Sequence, residues 1–166
     1  MEVDMRNNKG ITIIALIITI VLTLILLSVV IKFGTNEIDR AKIEDLKSTM
    51  LLIKGRAQVS KEKTNFEKDY SEKGVIQIND NLTLPEGKTY DLSSIQSELN
   101  ALADKSQLYI WEQTALNNNG IDYEITSDDF FVIDYNNMEV YSSIGYSFEG
   151  RTYYSLSQLQ ELTDEM

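Results

Sequence analysis

From Ile11 to Ile31 the chain carries 21 consecutive residues without a single charged side chain. Wound as an α-helix at about 1.5 Å per residue, that run reaches roughly 31 Å, close to the hydrocarbon thickness of a bilayer. The run is therefore read as a transmembrane helix, and the chain as a membrane protein rather than a cytosolic one. Residues 32–166 remain, 135 in number, enough for one small domain with a core of its own but not for two.

Charge and composition narrow what that domain does. The formal net charge is -11, and Glu2, Asp4, Arg6 and Lys9 cancel ahead of the run, so the acidic excess lies wholly beyond it. Such a surface repels nucleic acid and anionic headgroups, so neither is expected as a partner of the domain. There is no cysteine and no histidine. A disulfide framework is ruled out, together with the usual zinc and copper ligand sets, cysteine nucleophiles and histidine-based triads. Asp122, Glu124, Asp128, Asp129 and Asp134 lie close in sequence, and calcium takes oxygen ligands. They form no Asp-x-Asn-x-Asp-Gly loop, and acidic turns suit a surface this negative, so no metal site is assigned. No glycine-rich phosphate loop is present, and no pair of carboxylates stands out from the rest as acid and base. No enzyme activity and no cofactor are expected. The nine tyrosines lie mostly in strand-like stretches and are read as core and sheet packing.

The residues flanking the run carry its processing signal. A secretory signal has an apolar region of roughly 7–15 residues and then a small-residue cleavage site. Here the run is longer, and Ile31-Lys32-Phe33-Gly34-Thr35 offers no such site, so the helix is expected to stay. Ahead of it stands Asn7-Asn8-Lys9-Gly10, followed by Ile11-Thr12-Ile13-Ile14-Ala15-Leu16. This arrangement resembles the prepilin processing site of the type IV pilin and pseudopilin family, in the spelling of its Gram-positive branch. The resemblance implies a leader of residues 1–10, recognised through Lys9 and cut between Gly10 and Ile11 by a membrane-embedded prepilin peptidase. Ile11 then becomes the N-methylated first residue. Most members carry glutamate as the fifth mature residue, where it neutralises a neighbouring subunit's amino terminus; this chain has Ala15. That departure implies a non-standard or tip-located minor subunit, or a branch that manages the amine differently.

The resemblance further implies other pilin-like subunits and a membrane assembly platform as partners, and the lipid bilayer before assembly. It places the C-terminal domain outside the cytoplasm. Charge counting does not fix that orientation, because Arg6 and Lys9 precede the helix while Lys32, Arg40, Lys42 and Lys47 follow it. Within the run, Thr12, Ala15, Thr19 and Thr23 fall on one face, and small and hydroxyl residues let helices approach closely in an apolar medium. They form a candidate helix–helix contact, with simple tolerance of Thr and Ala in membrane helices as the other account.

Beyond the run the helical pattern continues through residues 32–61. Ile43, Leu46, Met50, Ile53 and Ala57 recur every three or four residues, an apolar stripe suited to packing on a globular domain. Residues 62–166 are read as that domain. Residues 61–74 are polar and connect; Val75, Ile76 and Ile78 suggest a strand, and Pro85-Glu86-Gly87 a turn. Asp91 or Ser93 caps a helix carrying Ile95, Leu99 and Leu102, Leu108–Trp111 reads as a strand, and Thr114–Asn119 as a short helix closed by Gly120. Phe130–Tyr135 and Met138–Ser142 form a strand pair joined by a two-residue turn, Asn136-Asn137. Tyr146, Phe148, Tyr153 and Tyr154 continue the sheet, and Ser157–Leu162 is a final helix. The fold class is α+β: a long N-terminal helix, membrane-spanning in its first half, packed by its second half on a small antiparallel sheet.

Overall fold

Alternation along the strands sorts their side chains onto two faces, and in the central strands both faces are buried. A computed structural model describes residues 7–62, 74–85 and 89–165, with the side chains of residues 7–12 and 27–38 outside the description. The elements run α1 (Asn7–Lys61), β1 (Ile76–Ile78), α2 (Gln96–Asn100), β2 (Leu108–Trp111), α3 (Gln113–Asn118), β3 (Phe131–Asp134), β4 (Glu139–Phe148), β5 (Arg151–Ser155) and α4 (Leu156–Glu165). The fold class is α+β, with one antiparallel sheet in the order β1-β2-β3-β4-β5. The chain divides into two compact units, residues 1–42 and 43–166, and the sheet lies in the second.

Every residue of β2 and β3 is buried. Tyr109 and Trp111 of β2, with Phe131 and Ile133 of β3, join one core; Leu108, Ile110 and Val132 join another. The first core takes Ile43, Leu46, Met50, Ile53 and Ala57 from α1 and Leu156, Leu159 and Leu162 from α4. All five stripe residues of α1 are buried, as their spacing predicts. The second core is closed by Ile95 and Leu99, with Leu82, Leu84, Tyr90 and Leu92 packed against it, and among the described residues it takes none from α1. A sheet covered on both faces explains why β2 and β3 read as continuous apolar runs.

Two hydrogen bonds tie α1 to the rest of this unit, one of them at its last residue. Lys61 Nζ donates to the carbonyl oxygen of Tyr135 at 2.5 Å, and Lys47 Nζ donates to Thr163 Oγ1 at 3.1 Å.

Several turns differ from their sequence expectation. The β3–β4 connection is not a two-residue hairpin: Asp134 pairs with Glu139, leaving four residues between the strands. The Asp134 carboxylate accepts the backbone N–H groups of Asn136 (2.8 Å) and Asn137 (3.3 Å), which rounds the turn early. Left-handed backbone then falls on Met138, φ 53°, rather than on either asparagine. The helix expected from Asp91 is broken. A 3₁₀ turn at Leu92–Ser94, capped by Asp91, hands over to α2 at Ile95, φ -113°. Ile95 and Leu99 still reach the core.

Strand β4 runs well past Ser142, to Phe148, by shifting register against β5 between Tyr141 and Tyr146. Gly145, φ 62°, permits the irregularity; a Cβ there would stand 2.7 Å from the Tyr154 ring. The final helix begins at Leu156 because Ser155 and Gln158 bond each other's backbone N–H, at 3.2 and 3.1 Å, a capping box. Most of the expected connector (63–73) and part of the Pro85-Glu86-Gly87 turn (86–88) lie outside the described residues.

Candidate helix-docking surface on α1

A helix that buries one stripe keeps an opposite face, and on α1 that face is not the charged one its position would suggest. Within the second unit Ser48, Leu52, Gly55 and Val59 follow at intervals of four, three and four, so they share one side of the helix. Leu52 and Val59 are 58% and 57% exposed, and Leu51 beside them is 42% exposed. Between the two large side chains sits Gly55, where a Cβ would meet nothing within 4 Å. A glycine inside a helix costs about 0.5–1 kcal/mol relative to alanine, and nothing among the described residues packs closely enough to require Gly55 there.

In the first unit, the large apolar residues among 13–26 are exposed on every side, from 49% at Val21 to 65% at Leu26. Ala15, Thr19 and Thr23 are exposed with them, so burial does not single out their face. Thr19 Oγ1 donates to the Leu16 carbonyl at 2.8 Å and Thr23 Oγ1 to that of Thr19 at 2.7 Å. Both hydroxyl protons are thus committed inside their own helix, which leaves each threonine a methyl and an acceptor oxygen, but no free donor, for a neighbour. Lys9, Gly10, Ile11 and Thr12 fall in α1, with their side chains outside the description. Among the described residues no helix is long and apolar enough to cross a membrane; the part of the apolar run with described side chains, residues 13–26, reaches about 21 Å.

The acidic residues near the hairpin do not converge. Asp134 is fully buried and engaged by the turn, its second oxygen taking Asn137 Nδ2 at 2.7 Å, while Asp129 accepts the Thr126 hydroxyl at 2.6 Å. Among the described residues no group of three or more acidic side chains is placed to hold a metal ion. The tyrosines mostly pack: Tyr109, Tyr135, Tyr141 and Tyr146 are buried, and the Tyr109 and Tyr135 rings meet edge to face at 5.1 Å.

Against the second core lies an open groove of about 640 Å³, floored by Leu82, Leu84 and Leu92 and edged by Thr89, Tyr90 and Asp91. Leu82 is held in left-handed backbone, φ 56°, by a loop in which Asn79 Oδ1 accepts the N–H groups of Asn81 and Thr83. Tyr90 packs its ring on Phe130 and donates its hydroxyl to the Glu112 carboxylate. Burial, then the Glu112 hydrogen bond and charge, push its pKa up to about 12. Burial first, then the carboxylates of Glu139, Asp134 and Glu98, likewise raises that of Tyr141.

The exposed face of α1 was missed in the sequence, although its signal was present: Leu51, Leu52 and Val59 lie off the buried stripe yet are apolar. Set against family models, curated proteins and solved structures, the chain matches none.

Proposed function

We propose that the chain is a structural subunit, in a minor position, of a type IV pilus-like, competence or type II secretion pseudopilus-like filament, and not an enzyme. The observation that carries this reading is Lys9-Gly10 standing directly before 21 uncharged residues. On it, a prepilin peptidase cuts before Ile11, which becomes N-methylated. Residues 11–31 cross the cytoplasmic membrane once, and the domain beyond lies outside the cytoplasm until a membrane assembly platform moves the subunit into a cell-surface filament. Thr12, Ala15, Thr19 and Thr23 then face neighbouring helices.

The outer face of α1 supports the reading from the other end of the helix. Leu52 and Val59 are apolar side chains that removal from water would reward, and Gly55 between them lets a second helix approach closely. A partner helix supplies a reason for that glycine which the described residues of its own chain do not. Because position 15 is alanine, incorporation does not rest on pairing a buried carboxylate with a neighbour's amino terminus. Low abundance beside a glutamate-bearing major subunit follows. A second reading, a membrane-anchored extracytoplasmic binding module that never polymerises, draws on the groove beside Tyr90.

Intact-mass and N-terminal peptide mass spectrometry in a host with the peptidase, joined to quantitative proteomics of sheared filaments, tests the proposal. A methylated chain starting at Ile11 and present at low copy in filaments is expected. A chain that still begins at Met1 would sink the reading, and a processed chain absent from every filament preparation would favour the binding module.

A further inference from the structure

Asn119-Gly120 is the one Asn-Gly pair in the chain. In such a pair the glycine nitrogen attacks the asparagine side-chain carbonyl carbon, unhindered because glycine has no Cβ. A C–N bond closes a five-membered succinimide, and the side-chain nitrogen departs as ammonia. Water then opens the ring at either carbonyl, leaving aspartate or isoaspartate.

The fold holds both reacting groups apart. Asn119 ends α3 with φ -94° and ψ 2°, which turns the Gly120 nitrogen away from the Asn119 side chain. That nitrogen donates to the Asn117 carbonyl at 3.0 Å, and the next, of Ile121, donates to the Leu116 carbonyl at 3.0 Å. With Gly120 left-handed at φ 71° and Leu116 and Ile121 both buried, this is a complete Schellman ending. The electrophile is fixed as well: Asn119 Nδ2 donates to the Ala115 carbonyl at 2.7 Å, and the residue is 5% exposed.

We propose that Asn119 is a spontaneous modification site gated by the C-terminal turn of α3: shut while the turn is closed, reactive once it opens, and then unable to close again. The product does not fit the place it leaves. Aspartate has no N–H to give the Ala115 carbonyl, and it sets a negative charge in a buried position at the negative end of a helix. Isoaspartate also lengthens the backbone by a methylene and displaces Ile121 from its contact. Each molecule that reacts while open is therefore marked, and the marked fraction grows with the time spent open.

The full chain in detergent, incubated at mildly alkaline pH, is followed by the mass gain and isoaspartate content of the peptide carrying Asn119. Modification in native buffer is expected to run at least about tenfold slower than in concentrated guanidinium, the factor that about 1.4 kcal/mol of local opening gives. Ile121→Ala, which loosens the ending without touching the reacting pair, is expected to raise the native rate while circular dichroism stays folded. Should that variant unfold, the native and denatured rates of the unaltered chain still decide. Equal rates in the two conditions, or no modification at Asn119 in denaturant, would overturn the proposal.

Discussion

Replacing Gly55 with alanine separates what the domain needs from what its surroundings need. The new methyl group enters open space, with nothing within 4 Å, and Gly55 has ordinary helical backbone rather than a positive φ. Alanine forms helix better by about 1 kcal/mol, partly because the unfolded chain has fewer conformations to lose. For a unit of the size of residues 43–166, that gain raises the melting temperature by about 3–5 °C. The assay is thermal and urea unfolding of a chain lacking residues 1–34, beside the same substitution in the full chain followed into sheared filaments. Stabilisation of the domain together with poorer incorporation is the expected pair of results. A destabilised domain would mean that the fold itself requires Gly55. A stabilised domain with unchanged incorporation would mean that the outer face of α1 touches no neighbour.

Ile53→Ala, and separately Leu46→Ala, should each cost about 2–5 kcal/mol in urea unfolding of that truncated chain, since both side chains are buried in the first core; melts matching the parent would contradict that packing. Ser155→Ala removes half of the capping box of α4 and should cost about 1 kcal/mol in the same assay, with Ser155→Asp restoring most of it. Tyr90 binds its proton more tightly folded, up to about 12, than at its ordinary value of 10.0. Its contribution to stability is therefore complete below about pH 10 and lost as pH rises towards 12. Ultraviolet titration should show late-ionising tyrosines, of which Tyr90→Phe removes one while Tyr141 stays late; an unchanged late phase in that variant would mean that Tyr90 is not held protonated.

Periodicity carried much of the second unit. The stripe from Ile43 to Ala57 reads directly as a buried face because three-and-four spacing has one geometric meaning, and Leu108–Trp111 reads as a strand because four apolar residues there end at polar ones. Side-chain capping was harder to see. Ser155-Leu156-Ser157-Gln158 spells a capping box, yet the tyrosines before it suggest that the strand simply runs out, so the sequence pattern starts the helix at Ser157, one residue late. The four-residue β3–β4 loop turns on Asp134, a strand residue whose carboxylate takes loop amides, and nothing in the neighbouring Asn-Asn pair announces this. The second core was hidden for a different reason. Leu82, Leu84, Tyr90 and Leu92 are scattered through irregular chain, where hydrophobic spacing has no period to betray a common face.

The division into two cores also sets how the domain takes a load. A pull along α1 would be received in shear by five side chains set in the first core and by the Lys61 tie to the Tyr135 carbonyl. None of it enters the second core directly, because among the described residues α1 contributes no side chain there. Strands β2 and β3 would act as a stiff plate between a stressed layer and a slack one. Sequence in residues 79–102 could then drift, or be exchanged, without altering the force at which α1 tears free.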